Sequence, residues 1–307
     1  MQKQQTSMSC QVAKDYVPIV QQACDKVTGF PELYKEMERS ISINGKSQSA
    51  LINYSRQLAH LALHYNCMPL DLDADQVMDY LHLVKSQGTE SASFFNFTVH
   101  GMRYACKMRG LEYTQFSLPG LKGPRKLPIV LNGSEVKALL GACKLLKHRL
   151  IIGLCYGCGL RSSEVQHLQP SHADLERGML HIHQGKGSKD RCIPLGILLC
   201  RGISQYLLEE VPGKYLFGNK AGDPMTGAGI LWVVKQALKK AGITKNAHTH
   251  TLRHSFATHL LEQGVNILVI KELLGHKQIE TTMTYLHVAK PMPCNVFSPL
   301  DSLYGLA

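Results

Sequence analysis

The chain has 307 residues, 44% hydrophobic and 19% charged, enough apolar content for a globular chain of two domains. Its formal charge of +11 is uneven: 22 Lys+Arg stand against 12 Asp+Glu from residue 125 onward, but 12 against 11 before it. A polyanion is the simplest partner for such a surface, and a solvated basic face is the plain alternative. Met1 to Asp25 holds no continuous apolar core of the kind a signal peptide needs, and the apolar run from Leu150 to Leu160 is 11 residues. A bilayer span needs about 20, so an intracellular chain without a membrane partner is expected. Ten scattered cysteines fit reduced thiols used as small core residues. Cys155 and Cys158 form a CxxC, but with no second pair and inside an apolar helical run it reads as core rather than as a zinc or redox site.

Residues 1–29 read as an extension of unknown role, in which Val17, Ile19, Val20 and Ala23 suggest a short helix. From Phe30 to Leu118 the pattern is helical. Leu51, Tyr54, Leu58, Leu61 and Leu63 mark one amphipathic segment, Val77, Tyr80, Leu81 and Val84 a second, and Phe94, Phe97, Val99, Met102 and Ala105 a third. Lys46, Arg56, Arg103, Lys107 and Arg109 are candidates for gripping phosphates, or else solvated faces. A linker follows at 119–128, where prolines and glycines forbid a helix and cations including Arg125 and Lys126 favour a phosphate backbone.

Past the linker, Asn132 or Ser134 caps a helix through Val136, Leu139 and Leu140. The apolar helix from Leu150 ends at Gly157 and Gly159, so Arg161 emerges at a turn with Glu164 three residues on. Met179 to His183 alternates as a strand, Gln184 to Asp190 makes a hairpin tip, and Arg191 to Leu195 returns. Lys186 sits at the tip between two glycines, with Lys189 and Arg191 as further phosphate contacts. This glycine-lysine pair is not a nucleotide loop, because the positions where a Walker motif needs a glycine and a hydroxyl hold Leu180 and Gly187.

His248 to His287 concentrates the chemistry. Leu252, Phe256, Leu260 and Leu261 recur at helical spacing up to Gly264, so His250 and Arg253, three apart, share a face. Ile267, Ile270, Leu273 and Leu274 form a second helix that Gly275 caps, placing His276 at its end. Thr281 or Thr282 is the expected N-cap of a third helix, with Tyr285 one turn in. A tyrosine, with an ordinary pKa near 10, attacks phosphorus only where cations draw charge from the non-bridging oxygens; arginine forks and histidines do this. The plain alternative is a basic helix with core histidines. His248, His250, His254 and His259 also have HxH and HxxxH spacings, but no nearby carboxylate completes a metal set, and His254 and His259 fit core or helix-surface positions.

The order Gly-Leu-Arg161-x-x-Glu164, Gly-Lys186-Gly on a hairpin, His250-x-Leu-Arg253, Leu-Gly-His276 and Tyr285 nine residues later resembles the tyrosine recombinase, or phage integrase, family, over roughly residues 30–290. The resemblance implies a mainly α fold with a small β-hairpin or sheet in the catalytic domain. A helical core-DNA-binding domain (30–118) and a catalytic domain (129–290) would close on duplex DNA as a C-shaped clamp. It further implies Tyr285 as nucleophile, Arg161 and Arg253 as phosphate clamp, Lys186 as general acid, His250 as acid or base, His276 as phosphate hydrogen-bond donor and Glu164 in support. The reaction would need neither metal nor other cofactor nor ATP, and a homotetramer would form on DNA from a monomer or weak oligomer, in a prokaryotic cytoplasm. The tail 291–307, with Leu300, Leu303, Tyr304 and Leu306 after three prolines, would dock on a neighbouring protomer or on its own domain. Integration, excision or transposition of a mobile element is the expected task; a type IB topoisomerase-like enzyme and a non-catalytic DNA-binding protein are the alternatives.

Overall fold

The computed structural model describes residues 18–88, 91–116, 127–183, 190–210, 212–219 and 222–289. The hairpin tip with Lys186 and Lys189, the linker cations Arg125 and Lys126, and the tail 291–307 lie outside the described residues. The chain divides into two compact units between Arg125 and Lys126.

The first unit is helical: α1 (Ile19–Lys26), α2 (Phe30–Ile43), α3 (Gln48–Tyr65), a 3-10 turn at Pro69–Asp71, α4 (Ala74–Ser86) and α5 (Ala92–Met108). Local chemistry sets these bounds. Ser47 caps α3 by accepting from the Ala50 amide, and Asn66 ends it at φ +51°. Asp73 and Gln76 form a reciprocal capping box at the start of α4, a device worth about 1 kcal/mol. Leu33, Met37, Ile41, Leu51, Leu58, Leu61 and Met102 are the buried centre. Ala23 and Val27 belong to the same core. From Ile19 onward the chain is therefore packed into this unit, with Ile19, Val20 and Cys24 of α1 partly buried against the same core.

The second unit runs α6 (Gly133–Gly141), α7 (Leu146–Gly157), α8 (Ser162–Gln166), a 3-10 turn at Pro170–His172, β1 (Ala173–Asp174), β2 (Met179–Ile182), β3 (Arg191–Pro194), α9 (Ile197–Glu209), α10 (Gly227–Lys240), α11 (Thr249–Glu262), α12 (Ile267–Leu274), α13 (Glu280–Met283) and a 3-10 helix, Thr284–His287. Asn132 and Glu135 cap α6 reciprocally at 2.8 Å each way. α7 is the central helix, with Ile151, Ile152, Leu154 and Cys155 fully buried. Cys155 and Cys158 are both enclosed, and burial pushes each thiol up to about 12, so both stay protonated at neutral pH. The sheet is antiparallel in the order β1-β2-β3, with Leu180 opposite Ile193 and Ile182 opposite Arg191. Its alternation points Leu180, Ile182 and Ile193 inward. β1, only two residues long, has no periodic signature in the sequence.

Candidate active site

α11 carries the centre of the site. Ser255 anchors it: its hydroxyl donates to the Thr251 carbonyl (2.8 Å) and accepts from the Leu131 amide (2.9 Å), tying the start of the unit to this helix. One face of α11 packs against α7, which places Arg253 inside the protein at 3% exposure. Its guanidinium donates to the carbonyls of Gly159 (2.6 Å) and Leu274 (2.5 Å). The Leu274 carbonyl is the last of α12, where partial negative charge favours a cation. Burial, followed by the neighbouring Arg161 charge, lowers Arg253 to about 10, still protonated at neutral pH.

Glu164 organises the cations around Arg253. Arg161 donates to Glu164 Oε1 at 2.7 Å, and the Arg161 amide donates to Oε2 at 2.8 Å. Arg191 forms a two-pronged pair with the same carboxylate, at 3.0 and 2.8 Å, and donates to the Leu273 carbonyl at 2.8 Å. Arg253 lies 4.0 Å from it. Burial pushes the Glu164 carboxyl up, but Arg191 and Arg161 outweigh that and hold it below the usual carboxylate range. Three guanidiniums around one carboxylate leave net positive charge, and Arg161 is the one that opens to solvent, at 30% side-chain exposure. It lines a cleft of about 880 Å³ together with His276, His172, His183 and Lys277.

Arg191 was expected on the surface as a DNA contact, and the structure places it otherwise. Its side chain is 7% exposed, and its donors face Glu164 and the end of α12. It shares the Glu164 carboxylate with Arg161.

Tyr285 is 2% exposed, on the 3-10 helix after α13. The helix starts earlier than the threonines suggest: Ile279 precedes it, and Thr282 is buried. There Thr282 Oγ1 bonds His276 Nδ1 at 2.9 Å, which holds the imidazole parallel to the Tyr285 ring, centroids 6.4 Å apart and planes 16° apart. Tyr285 Oη bonds His254 Nδ1 at 3.1 Å. Burial raises the Tyr285 pKa, against the opposing charges of Arg253 and Arg161, so the phenol is protonated at rest. Burial, then Arg253 and Arg161 at His276 and His250 and Arg253 at His254, lowers both to about 4, so both are neutral. His250 lies one turn before His254, ring centroids 6.5 Å apart, and partial enclosure by its neighbours, followed by His248 and Arg253, lowers it too.

Of the expected residues, then, Arg161, Glu164, Arg253, His276 and Tyr285 converge, and His250 lies beside them on α11. The sequence reading missed the work of three residues: His254, Thr282 and Arg191. The spacing of His250 and His254, one helical turn apart on the face that also holds Arg253, is the signal that points to the first.

A buried phenol beside neutral imidazoles, near a cluster of guanidiniums of which Arg161 opens to a cleft, is equipped to attack a phosphodiester. The chain matches the model of the phage integrase family over residues 130–292. It is 32% identical to the putative integrase/recombinase y4qK of Sinorhizobium fredii over 88% of this chain and 89% of that protein. It is 34% identical to the tyrosine recombinase XerA of Thermococcus kodakarensis over 84% of this chain and 91% of that protein. Among solved structures, the Tn1549 transposon integrase in complex with transposon right end DNA shares the fold with a TM-score of 0.66 at 16% identity, covering 89% of this chain and 97% of that one. The XerH recombinase bound to palindromic difH substrate does so with 0.67 at 20%, covering 94% and 93%. Its likeness to the recombinases over most of their length makes the chain an enzyme that cuts and rejoins DNA strands. The chain belongs to the phage integrase family, the tyrosine recombinases.

Proposed function

We propose that Tyr285 attacks the scissile phosphate to give a 3′-phosphotyrosyl link, with Arg161 and Arg253 drawing charge from its non-bridging oxygens. The observation that carries this reading is the convergence of Tyr285, His276, Arg161 and Arg253 around the Glu164 cluster. His276, held by Thr282, donates to a phosphate oxygen; Lys186 protonates the leaving 5′-oxygen, and His250 moves protons at the solvent side. The bond energy is retained in the link, so a 5′-hydroxyl from a second strand reverses the step without ATP, and the arginines supply the positive charge a metal would otherwise bring.

Both units contact duplex DNA in this reading, residues 30–118 as a core-DNA-binding domain and 129–290 as the catalytic domain. The exposed Lys46, Arg56 and Lys107, with Arg125, Lys126 and Lys189, touch phosphates. Four protomers assemble on paired sites, with the tail 291–307 docking on a neighbour, and the task is integration, excision or transposition of a mobile element. Among the described residues no helix is long and apolar enough to cross a membrane.

The test is covalent trapping. Wild type and Tyr285→Phe are incubated in EDTA without ATP with labelled, nicked duplex carrying a recombination site recovered by binding selection, then denatured and run on a gel. A DNA-linked band with wild type alone is expected. DNA shifted by both proteins and trapped by neither overturns the assignment.

A further inference from the structure

His254 follows Arg253 directly on α11 and has no place in the roles above. Its Nδ1 lies 3.1 Å from Tyr285 Oη, with the rings 5.6 Å apart and tilted by 54°. The other imidazole on Tyr285, His276, has its Nδ1 engaged by Thr282 and lies parallel to the phenol ring. Tyr285 is enclosed, so the partner of its hydroxyl is set by protein rather than by bulk water.

We propose that His254 is the immediate proton acceptor of Tyr285 in strand cleavage and returns that proton in strand rejoining; the inference rests on Tyr285 being the nucleophile. In cleavage the Tyr285 O–H bond breaks as Nδ1–H forms, the oxygen pair makes the O–P bond, and the 5′-oxygen leaves with its bonding pair. In rejoining the incoming 5′-hydroxyl passes its proton to Lys186, which gave one to the leaving 5′-oxygen in cleavage, and displaces Tyr285 as a phenolate, which takes the proton back from the His254 imidazolium. Nothing is consumed, and one group serves both directions.

The surroundings explain why this pair is quiet at rest. The groups around His254 are His248, His250 and Arg253 on its own helix, Tyr285 from the 3-10 helix, and His276 from the turn after α12. Enclosure, followed by His250, Arg253 and His248, holds the imidazole at about 4, while enclosure raises the phenol above its ordinary value. Such an acid does not ionise to such a base without help, so no idle phenolate forms. Attachment to phosphorus acidifies the phenolic proton as the bond forms, and the phosphate brings negative charge into the cation cluster, so transfer is driven only when substrate is in place. His250, exposed and one turn away, leads from His254 to solvent.

Two measurements test this on the full chain. Nitrogen-15 NMR of histidine-labelled protein, with His254→Gln to assign the resonance, reads the tautomer. An unprotonated Nδ1 with the proton on Nε2, unchanged from pH 5 to 8, is expected. A protonated Nδ1 would make the imidazole donate to Tyr285 and overturns the proposal. The second is single-turnover cleavage of the nicked duplex with either an oxygen or a sulfur bridging to the 5′-carbon, the sulfur needing no protonation to leave. His254→Gln still accepts a hydrogen bond from Tyr285 but cannot take its proton. It is expected to bind DNA as wild type does and cleave about 100- to 1,000-fold more slowly on both substrates, whereas Lys186→Ala recovers on the sulfur substrate. His254→Gln cleaving within about threefold of wild type, or recovering on the sulfur substrate, sinks the role of His254 alone. Absence of any Tyr285-dependent adduct with wild type removes the nucleophile reading and this one with it.

Discussion

At the scale of single residues, Glu164 and Arg161 separate stability from activity. Glu164 and Arg191 are 8% and 7% exposed, so removing the carboxylate's charge strands a buried cation. Glu164→Gln is expected to lower unfolding free energy by about 3 kcal/mol, read from a urea midpoint. Arg161, at 30%, is partly solvated, and its loss costs about 1 kcal/mol or less. Yet Arg161→Ala is expected to abolish covalent trapping in the same preparation, because it is the arginine of the Glu164 cluster that opens to the cleft. An Arg161→Ala protein that is as unstable as Glu164→Gln, or that still traps, contradicts this division. His254 and His276, both neutral in the folded state, make a second residue-level prediction. Their folded values near 4 lie below the unfolded value near 6.5, so above pH 6.5 they carry no penalty. As the pH falls from about 6.5 towards 4 the unfolded chain binds protons that the folded chain refuses, and stability drops. The urea midpoint should therefore decline across that window, and less steeply in His254→Gln; equal slopes would show that His254 titrates normally.

At the scale of elements, the glycine-rich end of α7 decides where two arginines sit. Gly159 has φ +60°, and a Cβ there would lie 2.6 Å from the Phe256 ring. Its carbonyl holds Arg253, and two residues later Arg161 starts α8. Gly159→Ala is expected to cost upwards of about 1–2 kcal/mol from the backbone alone, and to slow cleavage more than binding by shifting Arg253. A variant that binds and cleaves normally would show that Phe256 gives way freely. The elements legible in the sequence were those with a period and a cap: α11, the Ile267–Leu274 helix with Gly275 at φ +62°, and the β2–β3 pair. β1 was illegible because two residues carry no alternation. Tyr285 belongs to a short helix whose threonines act as tertiary hydrogen-bond partners, so cap propensity misplaced its start. Motif spacing exposed Arg161, Glu164, Arg253, His276 and Tyr285, but not the burial of Arg191. That depends on Gly275 and the end of α12 arriving against β3, a contact between residues more than 80 positions apart in the chain.

At the scale of the whole molecule, a formal charge is not a count of cations available to DNA. In the first unit Arg109 is paired with Glu36 at 2.9 and 3.2 Å, and Arg103 donates to the Phe116 carbonyl at 2.5 Å. Arg56 is exposed, and Lys46, also exposed, has its ammonium 5.2 Å from the centre of the Tyr104 ring, a contact that leaves its charge uncompensated. In the second unit Arg191 and Arg253 are internal, so the excess there overstates what meets a phosphate backbone. Each cation on a phosphate contributes about 0.9 to the slope of log affinity against log salt. Replacing Lys46 and Arg56 together by Gln is thus expected to reduce that slope by about 2, while Arg109→Gln leaves it nearly unchanged because its charge is already balanced by Glu36. Filter-binding titrations from 50 to 200 mM salt measure both. A drop in slope for Arg109→Gln equal to that of the pair would mean that the ion pair opens on DNA, and that surface charge, rather than the folded arrangement of partners, sets how the protein grips its substrate.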